Sequence, residues 1–206
     1  MRQLLFILAC AFSLTTLGQS GTGITGGFST AIPTTLPNYL GNKPYLGAFL
    51  GVEFQQDDGW RMGLYAEYLN SKHQATYYKE DVYDEDGKVV QTDFNTTIIP
   101  ISYGVDYNFI DRAFHFYLGA DLNAYFILRN YEEKGNGYYN KPEYMPENNF
   151  PISFGLSPKI GTGYEINTNF YIDLFLKYDI LFTKMQNNLP GIPQMFRVSL
   201  GVFYLF

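Results

Sequence analysis

The sequence predicts an all-β fold, an eight-stranded antiparallel up-and-down transmembrane β-barrel. Three observations predict it: apolar residues recur at every second position, the connections alternate between short and long, and aromatic residues gather at one end of the apolar faces. A period of two sends successive side chains to opposite faces of a strand. From Phe170 to Phe182 the even positions are Phe170, Ile172, Leu174, Leu176, Tyr178, Ile180 and Phe182, while Tyr171, Asp173, Phe175, Lys177 and Asp179 stand between them. From Phe196 to Phe206 the same parity gives Phe196, Val198, Leu200, Val202, Tyr204 and Phe206, with Arg197, Ser199 and Gly201 between. One face is apolar throughout and the other mixes charge, glycine and aromatics. Repeated around a closed sheet, this places an apolar surface against lipid and a polar interior inside.

The elements follow in chain order. Residues 1–18 read as a secretory signal. Met1-Arg2 starts it, Leu4 to Phe12 is the apolar run, and Thr16-Leu17-Gly18 is a small-x-small cleavage site, which puts the mature start near Gln19. The run is too short for a membrane-spanning helix. Lipidation at Cys10 would leave too short a signal before it. Without residues 1–18 the chain has no cysteine, so neither disulfides nor thiol chemistry is expected. Residues 19–206 form one barrel domain.

The first strand spans about 21–32 and shows Ile24, Phe28 and Ile32 on one face among glycines. The second, about 44–55, carries Leu46, Ala48, Leu50, Val52 and Phe54. The third, about 60–78, carries Trp60, Met62, Leu64, Ala66 and Tyr68. The fourth, about 93–107, has Ile99, Ile101, Tyr103, Val105 and Tyr107. The fifth, about 114–130, has the longest apolar face, from Phe114 to Leu128. The sixth, about 151–165, runs from Ile152 to Tyr164, with Pro158 as a local defect in the ladder. The two segments quoted first are the seventh and eighth.

Residues 56–59, 108–113 and 166–169 are short turns rich in Asn, Asp and Gly. Residues 33–43, 79–92, 131–150 and 184–194 are longer. Barrels of the outer membrane pair short periplasmic turns with long external loops, so both ends of the barrel chain are expected on the periplasmic side. Trp60, Tyr107, Phe114, Tyr164, Phe170 and Tyr204 fall near the short-turn ends of the apolar face. An interfacial girdle uses such residues, because the ring is apolar and the tip of Tyr or Trp is polar. Charged residues make up only 17% of the chain and the net charge is -6, which argues against a nucleic-acid partner.

With strands, girdle and the closing segment Val198-Ser199-Leu200-Gly201-Val202-Phe203-Tyr204-Leu205-Phe206 in place, the chain resembles the small OmpA/OmpX-type barrels, and more closely the PorT-like outer-membrane barrels of Bacteroidota. The resemblance covers residues 19–206. It implies location in the cell outer membrane, contact with outer-membrane lipid, and recognition of the terminal aromatic strand, through Tyr204 and Phe206, by the barrel-assembly machinery. It brings no catalytic motif and no cofactor.

Chemistry has three places to reside. The first is the interior, where Glu53, Arg61, Glu67, Asp106, His115, Asp121, Lys159, Glu165, Asp173, Lys177, Asp179 and Arg197 point inward by parity. Glu53, Arg61, Asp106, His115 and Glu165 belong near the short-turn end; Glu67, Asp121, Lys159 and Lys177 belong near mid-height. Lys159 and Lys177 should face each other, which is repulsive alone, and Asp121 stands level with Lys159 to offset them. Eight strands leave room only for side chains, and buried charges must pair. An ionic plug is therefore expected, with a narrow ion path as its rival. The second place is the histidines. His115 is expected to pair with Asp106 across the 108–113 turn, but no nucleophile accompanies it, and His73 has Ser71 nearby without an acid on its face. No catalytic residue is assigned. The third is the external loops. The acidic run Glu80 to Asp86 fails the calcium-loop pattern, so no metal site is assigned. The tyrosines of 131–150 suit partner recognition, as does the loop 79–92.

The expected role is therefore structural or interactive rather than enzymatic, in an integral outer-membrane barrel with a polar, plugged interior and four external loops. The alternatives are a narrow pore or accessory subunit of an export or surface complex, and a secreted soluble lipocalin-like barrel binding an apolar ligand inside.

Overall fold

In the computed structural model the chain is described over residues 19–34, 43–56, 58–77, 90–109, 113–134, 152–182 and 194–206. The expected signal 1–18, the side chain of His73 and most of the four longer connections lie outside the described residues. The strands are β1 (Gln19–Pro33), β2 (Tyr45–Gln56), β3 (Trp60–Tyr77), β4 (Val90–Asn108), β5 (Phe114–Lys134), β6 (Ile152–Asn167), β7 (Phe170–Leu181) and β8 (Gln194–Leu205). Each pairs antiparallel with its sequence neighbours, and β8 pairs with β1, so the sheet closes into a barrel.

Closure fixes the geometry. Register partners followed round the sheet run Ile24, Val52, Leu64, Tyr103, Leu122, Leu156, Ile180, Gln194. Gln194 O then accepts from Thr34 N at 3.0 Å. The path that left β1 at Ile24 returns to it at Thr34, 34 − 24 = 10 residues along the strand. That stagger in an eight-stranded ring corresponds to strands inclined by roughly 40°. One residue then advances about 2.5 Å along the barrel axis, and one step to the next strand about 3 Å.

Parity sorts the side chains as the alternation requires. Phe28, Leu46, Leu50, Leu122, Phe154 and Leu200 face outward and are exposed, while Glu53, Asp106, Asp121, Lys177 and Arg197 face inward and are buried. An apolar exterior around a charged interior is the reverse of a lipocalin. The inward glycines make room for rings. A Cβ on Gly201 would meet Phe49 Cζ at 2.5 Å, and one on Gly161 would strike the Tyr117 ring. Alternating small and large residues is how a narrow barrel fills its lumen. In the β2–β3 turn Gly59 takes a φ of 88°, open to glycine at little cost.

Two prolines interrupt ladders without shifting register. Around Pro158, β6–β7 pairing runs from Leu156↔Ile180 to Lys159↔Lys177, and around Pro100, β3–β4 pairing runs from Ala66↔Ile101 to Leu69↔Ile98. Each proline lacks a donor, but its neighbours hold the strands in place. β4 and β5 also run further than the apolar alternation reaches, with Gln91 still paired to Lys134. Pairing there no longer needs an apolar face, so the hydrophobic pattern that marks the rest of each strand is lost.

Candidate functional site: the barrel interior

Three layers of charge stack inside the barrel, and register builds each one. At the short-turn end Arg61 on β3 is the register partner of Asp106 on β4. Its guanidinium reaches Asp173 on β7 at 2.8 Å, Glu53 on β2 at 3.4 Å and Asp106 at 3.5 Å. It also lies over the Tyr117 ring, 4.1 Å from the centroid. In the middle layer Lys159 and Lys177 are direct partners on β6 and β7. Asp121 on β5 is ion-paired with both, 3.2 Å from Lys159 and closer still to Lys177. Lys159 additionally binds Asp106 at 2.7 Å, which links the middle layer to the first. In the third layer Arg197 on β8 holds Asp179 at 2.6 Å and Glu67 on β3 from across the lumen.

Neutral groups complete the third layer. Ser102 donates to Asn123 at 2.5 Å, Asn123 donates to Ser157 at 2.8 Å, and Ser157 donates to Asp179. Tyr125 shares a 3.2 Å bond with Ser157. Lower down, Tyr65 donates to Glu53 at 3.2 Å. Arg61 and Arg197 each gather carboxylates, whereas Asp121 gathers amines, so the sign of the central group alternates along the axis. Arginine suits the multi-acceptor positions because its guanidinium offers five donors in a fixed fork.

Charge does not fill the whole lumen. Ala31, Tyr45, Leu69, Ile98, Tyr125, Ile127, Leu181 and Met195 form one buried apolar cluster. Register places it beyond Arg197, toward the end with the longer connections: Ala31 pairs with Tyr45, Leu69 with Ile98, and Ile98 with Ile127. At the opposite end His115, Tyr171 and Phe203 stand ring to ring, with centroids 5.9 and 5.7 Å apart. The ionic layers thus lie between an apolar layer and an aromatic one. The polar interior expected from sequence holds for the middle and short-turn levels, and the apolar outer level was missed. Its signal was present, since Leu69, Ile98, Ile127, Leu181 and Met195 all fall on inward parity.

One expected pairing is corrected. His115 Nε2 lies 3.4 Å from Asp173 Oδ1 on β7, rather than against Asp106. Asp106 pairs with Gly119, several residues along β5 from His115. The register partner of His115 is Gly163, whose own partner is Asp173, and with no side chain between them the imidazole reaches over β6. Glu165 stands apart from these layers, half-buried at the short-turn rim as the partner of Tyr171. Asp179, given no height from sequence, closes the third layer. The six aromatic positions fall into three register pairs, Trp60↔Tyr107, Phe114↔Tyr164 and Phe170↔Tyr204. Trp60 and Tyr107 have ring centroids 5.1 Å apart, and Tyr204 and Phe206 have theirs 5.5 Å apart. Among the described residues no cluster of His, Cys, Asp and Glu has metal-binding geometry.

The family model described as outer membrane protein β-barrel domain matches residues 4–202. No curated protein matches the chain in sequence. Among solved structures, the chain is similar to the Neisserial surface protein A (NspA), at 16% identity and a TM-score of 0.59, over 92% of this chain and 99% of that one. It is similar also to the outer membrane protein OprG from Pseudomonas aeruginosa, at 19% identity and a TM-score of 0.58, over 92% and 97% of the two chains. At these identities the likeness is one of fold.

Proposed function

Because the chain belongs to the outer membrane protein β-barrel domain family and is an integral protein of the outer membrane, we propose that it is a barrel with a sealed lumen, whose role is structural or exercised at the cell surface rather than by conduction or catalysis. The observation that carries this reading is the stack of side chains across the lumen. Arg61, Asp121 and Arg197 each tie strands that are not neighbours in the sheet, and an apolar layer lies beyond them. An open ion path needs a continuous polar lining, which the cluster of Leu69, Ile98, Ile127 and Leu181 interrupts. The inward histidine has Asp173 beside it but no serine or cysteine among its described contacts, so the triad logic of a hydrolase finds no nucleophile here.

With the lumen sealed, recognition falls to the residues outside the membrane, and 79–92 and 131–150 are the segments proposed to meet a protein partner. The paired aromatics at the short-turn end serve as an interfacial girdle against outer-membrane lipid. Tyr204 and Phe206 serve as the signal for the barrel-assembly machinery. The finer kinship to PorT-like barrels of Bacteroidota rests on the closing strand and its aromatic end. Liposome swelling tests the sealed lumen. Vesicles carrying the barrel should swell in small neutral and charged solutes no faster than protein-free vesicles, and solute-dependent swelling would overturn the reading.

A further inference from the structure

The lipid-facing belt is not equally tall all round. On β1, β2 and β3 the outward run holds five residues between polar or turn positions, at 24–32, 46–54 and 60–68, and on β4 and β8 it holds six, at 99–109 and 196–206, where exposed Phe109 and Phe206 extend the short-turn end. On β5, β6 and β7 it holds eight, seven and seven, at 114–128, 152–164 and 170–182. The long runs are contiguous in the closed sheet, and so are the short ones. At the inclination set by the register, five outward residues cover about 20 Å of height, six about 25 Å, and seven or eight about 30–35 Å. A usual belt is about 25 Å, so one side falls short of it and the other exceeds it.

Polar groups mark where the short side stops. Asn70, two residues above Tyr68, faces outward, and its amide donates to Asn95 at 2.8 Å and Thr97 at 2.9 Å on β4. On β8 the outward Gln194 takes the Tyr178 hydroxyl at 2.5 Å. At the short-turn end β2 closes with outward Gln56. Asn70 and Phe182 stand within about 3 Å of one level across the barrel, as do Gln56 and Phe170 at the other end. The belt therefore narrows from both edges, and a rigid tilt, which moves both edges of one side the same way, cannot match it to a flat bilayer.

We propose that the β1–β2–β3 face binds a locally thinned lipid annulus, with headgroups and water drawn in to Asn70 at one edge and Gln56 at the other. A bilayer meets a short hydrophobic face by thinning beside it.

Single cysteines test this in the full chain, in a Cys10→Ala background, in nanodiscs of palmitoyl-oleoyl phosphatidylcholine that expose both edges to a membrane-impermeant maleimide. Asn70→Cys and Gln56→Cys should label roughly tenfold faster than Phe182→Cys and Phe170→Cys, because the former sit among headgroups and the latter in hydrocarbon. Gln194→Cys replaces Asn70→Cys if loss of the Asn70 bonds prevents folding, judged by the heat-dependent shift in gel mobility. Equal labelling at equal heights would overturn the proposal in favour of a level belt. Fast labelling at position 70 with protection at 56 would overturn it in favour of tilt. Protection of both, relieved on dilution to one barrel per disc, would overturn it in favour of a second copy covering the face.

Discussion

Replacing Asp121 with Ala is the sharpest perturbation of the interior. Its carboxylate is fully buried and is shared by two lysines, Lys159 at 3.2 Å and Lys177 closer. The two are not equally dependent on it. Lys159 keeps Asp106 at 2.7 Å, whereas for Lys177 Asp121 is its one ion pair among the described contacts. The face of the Phe175 ring, 4.9 Å from Lys177 Nζ, remains but offers only a weak cation–π contact. Asp121→Ala therefore strands one buried ammonium, and removing one partner of a buried pair costs about 3–5 kcal/mol. Lys72, exposed on the outer face of β3, supplies the control, since its change to Ala should stay within about 0.5 kcal/mol. Changing Lys177 to Met as well removes the stranded charge, so Asp121→Ala/Lys177→Met should recover about 1–3 kcal/mol relative to Asp121→Ala alone. Reversible urea unfolding in lipid vesicles, followed through the single tryptophan Trp60, measures all three. If Asp121→Ala proved as mild as Lys72→Ala, or if adding Lys177→Met brought no recovery, the reasoning would fail.

Other outcomes follow from the same geometry. Gly201→Ala drives a Cβ toward Phe49 and should destabilise by about 1–3 kcal/mol as an overpacked core does; outward Gly26→Ala, whose nearest contact beyond its chain neighbours would be 3.4 Å, should change stability by well under about 1 kcal/mol. The same urea titration compares them. Leu69→Ala opens the apolar layer and should cost about 2–5 kcal/mol, and an effect as small as that of Lys72→Ala would remove that layer from the account. Protease added to intact cells should cut within 79–92 or 131–150, and cutting confined to 56–59 or 108–113 would invert the barrel.

Most of the fold was legible because a barrel strand carries its own signature. Parity alone assigned the lumen to Glu53, Asp121 and Arg197 and the exterior to Phe154, Leu174 and Leu200. Counting from short turns works where the contact lies along one hairpin, as for Lys159 opposite Lys177. It fails where the contact skips a strand. His115 meets Asp173 over Gly163, and Arg197 meets Glu67 across the lumen, and no hairpin register specifies either. The apolar outer layer was obscured for a different reason. Inward Ile127 and Leu181 each stand between two outward apolar residues, so the alternation there weakens into a continuous run, which no longer separates the faces. The unequal belt lay in plain view as unequal apolar runs, but only the closed register sets the ends of those runs at heights that can be compared.

Whether packed side chains seal the lumen can be read from the unaltered barrel by single-channel recording in planar bilayers. The wild-type barrel inserted in concentrated KCl should give no discrete current steps above the protein-free baseline if the paired charges and the cluster of Leu69, Ile98 and Ile127 close the lumen as proposed. Steps of reproducible size, abolished when the barrel is heat-unfolded before insertion, would contradict it and make the same residues the walls of a narrow pore.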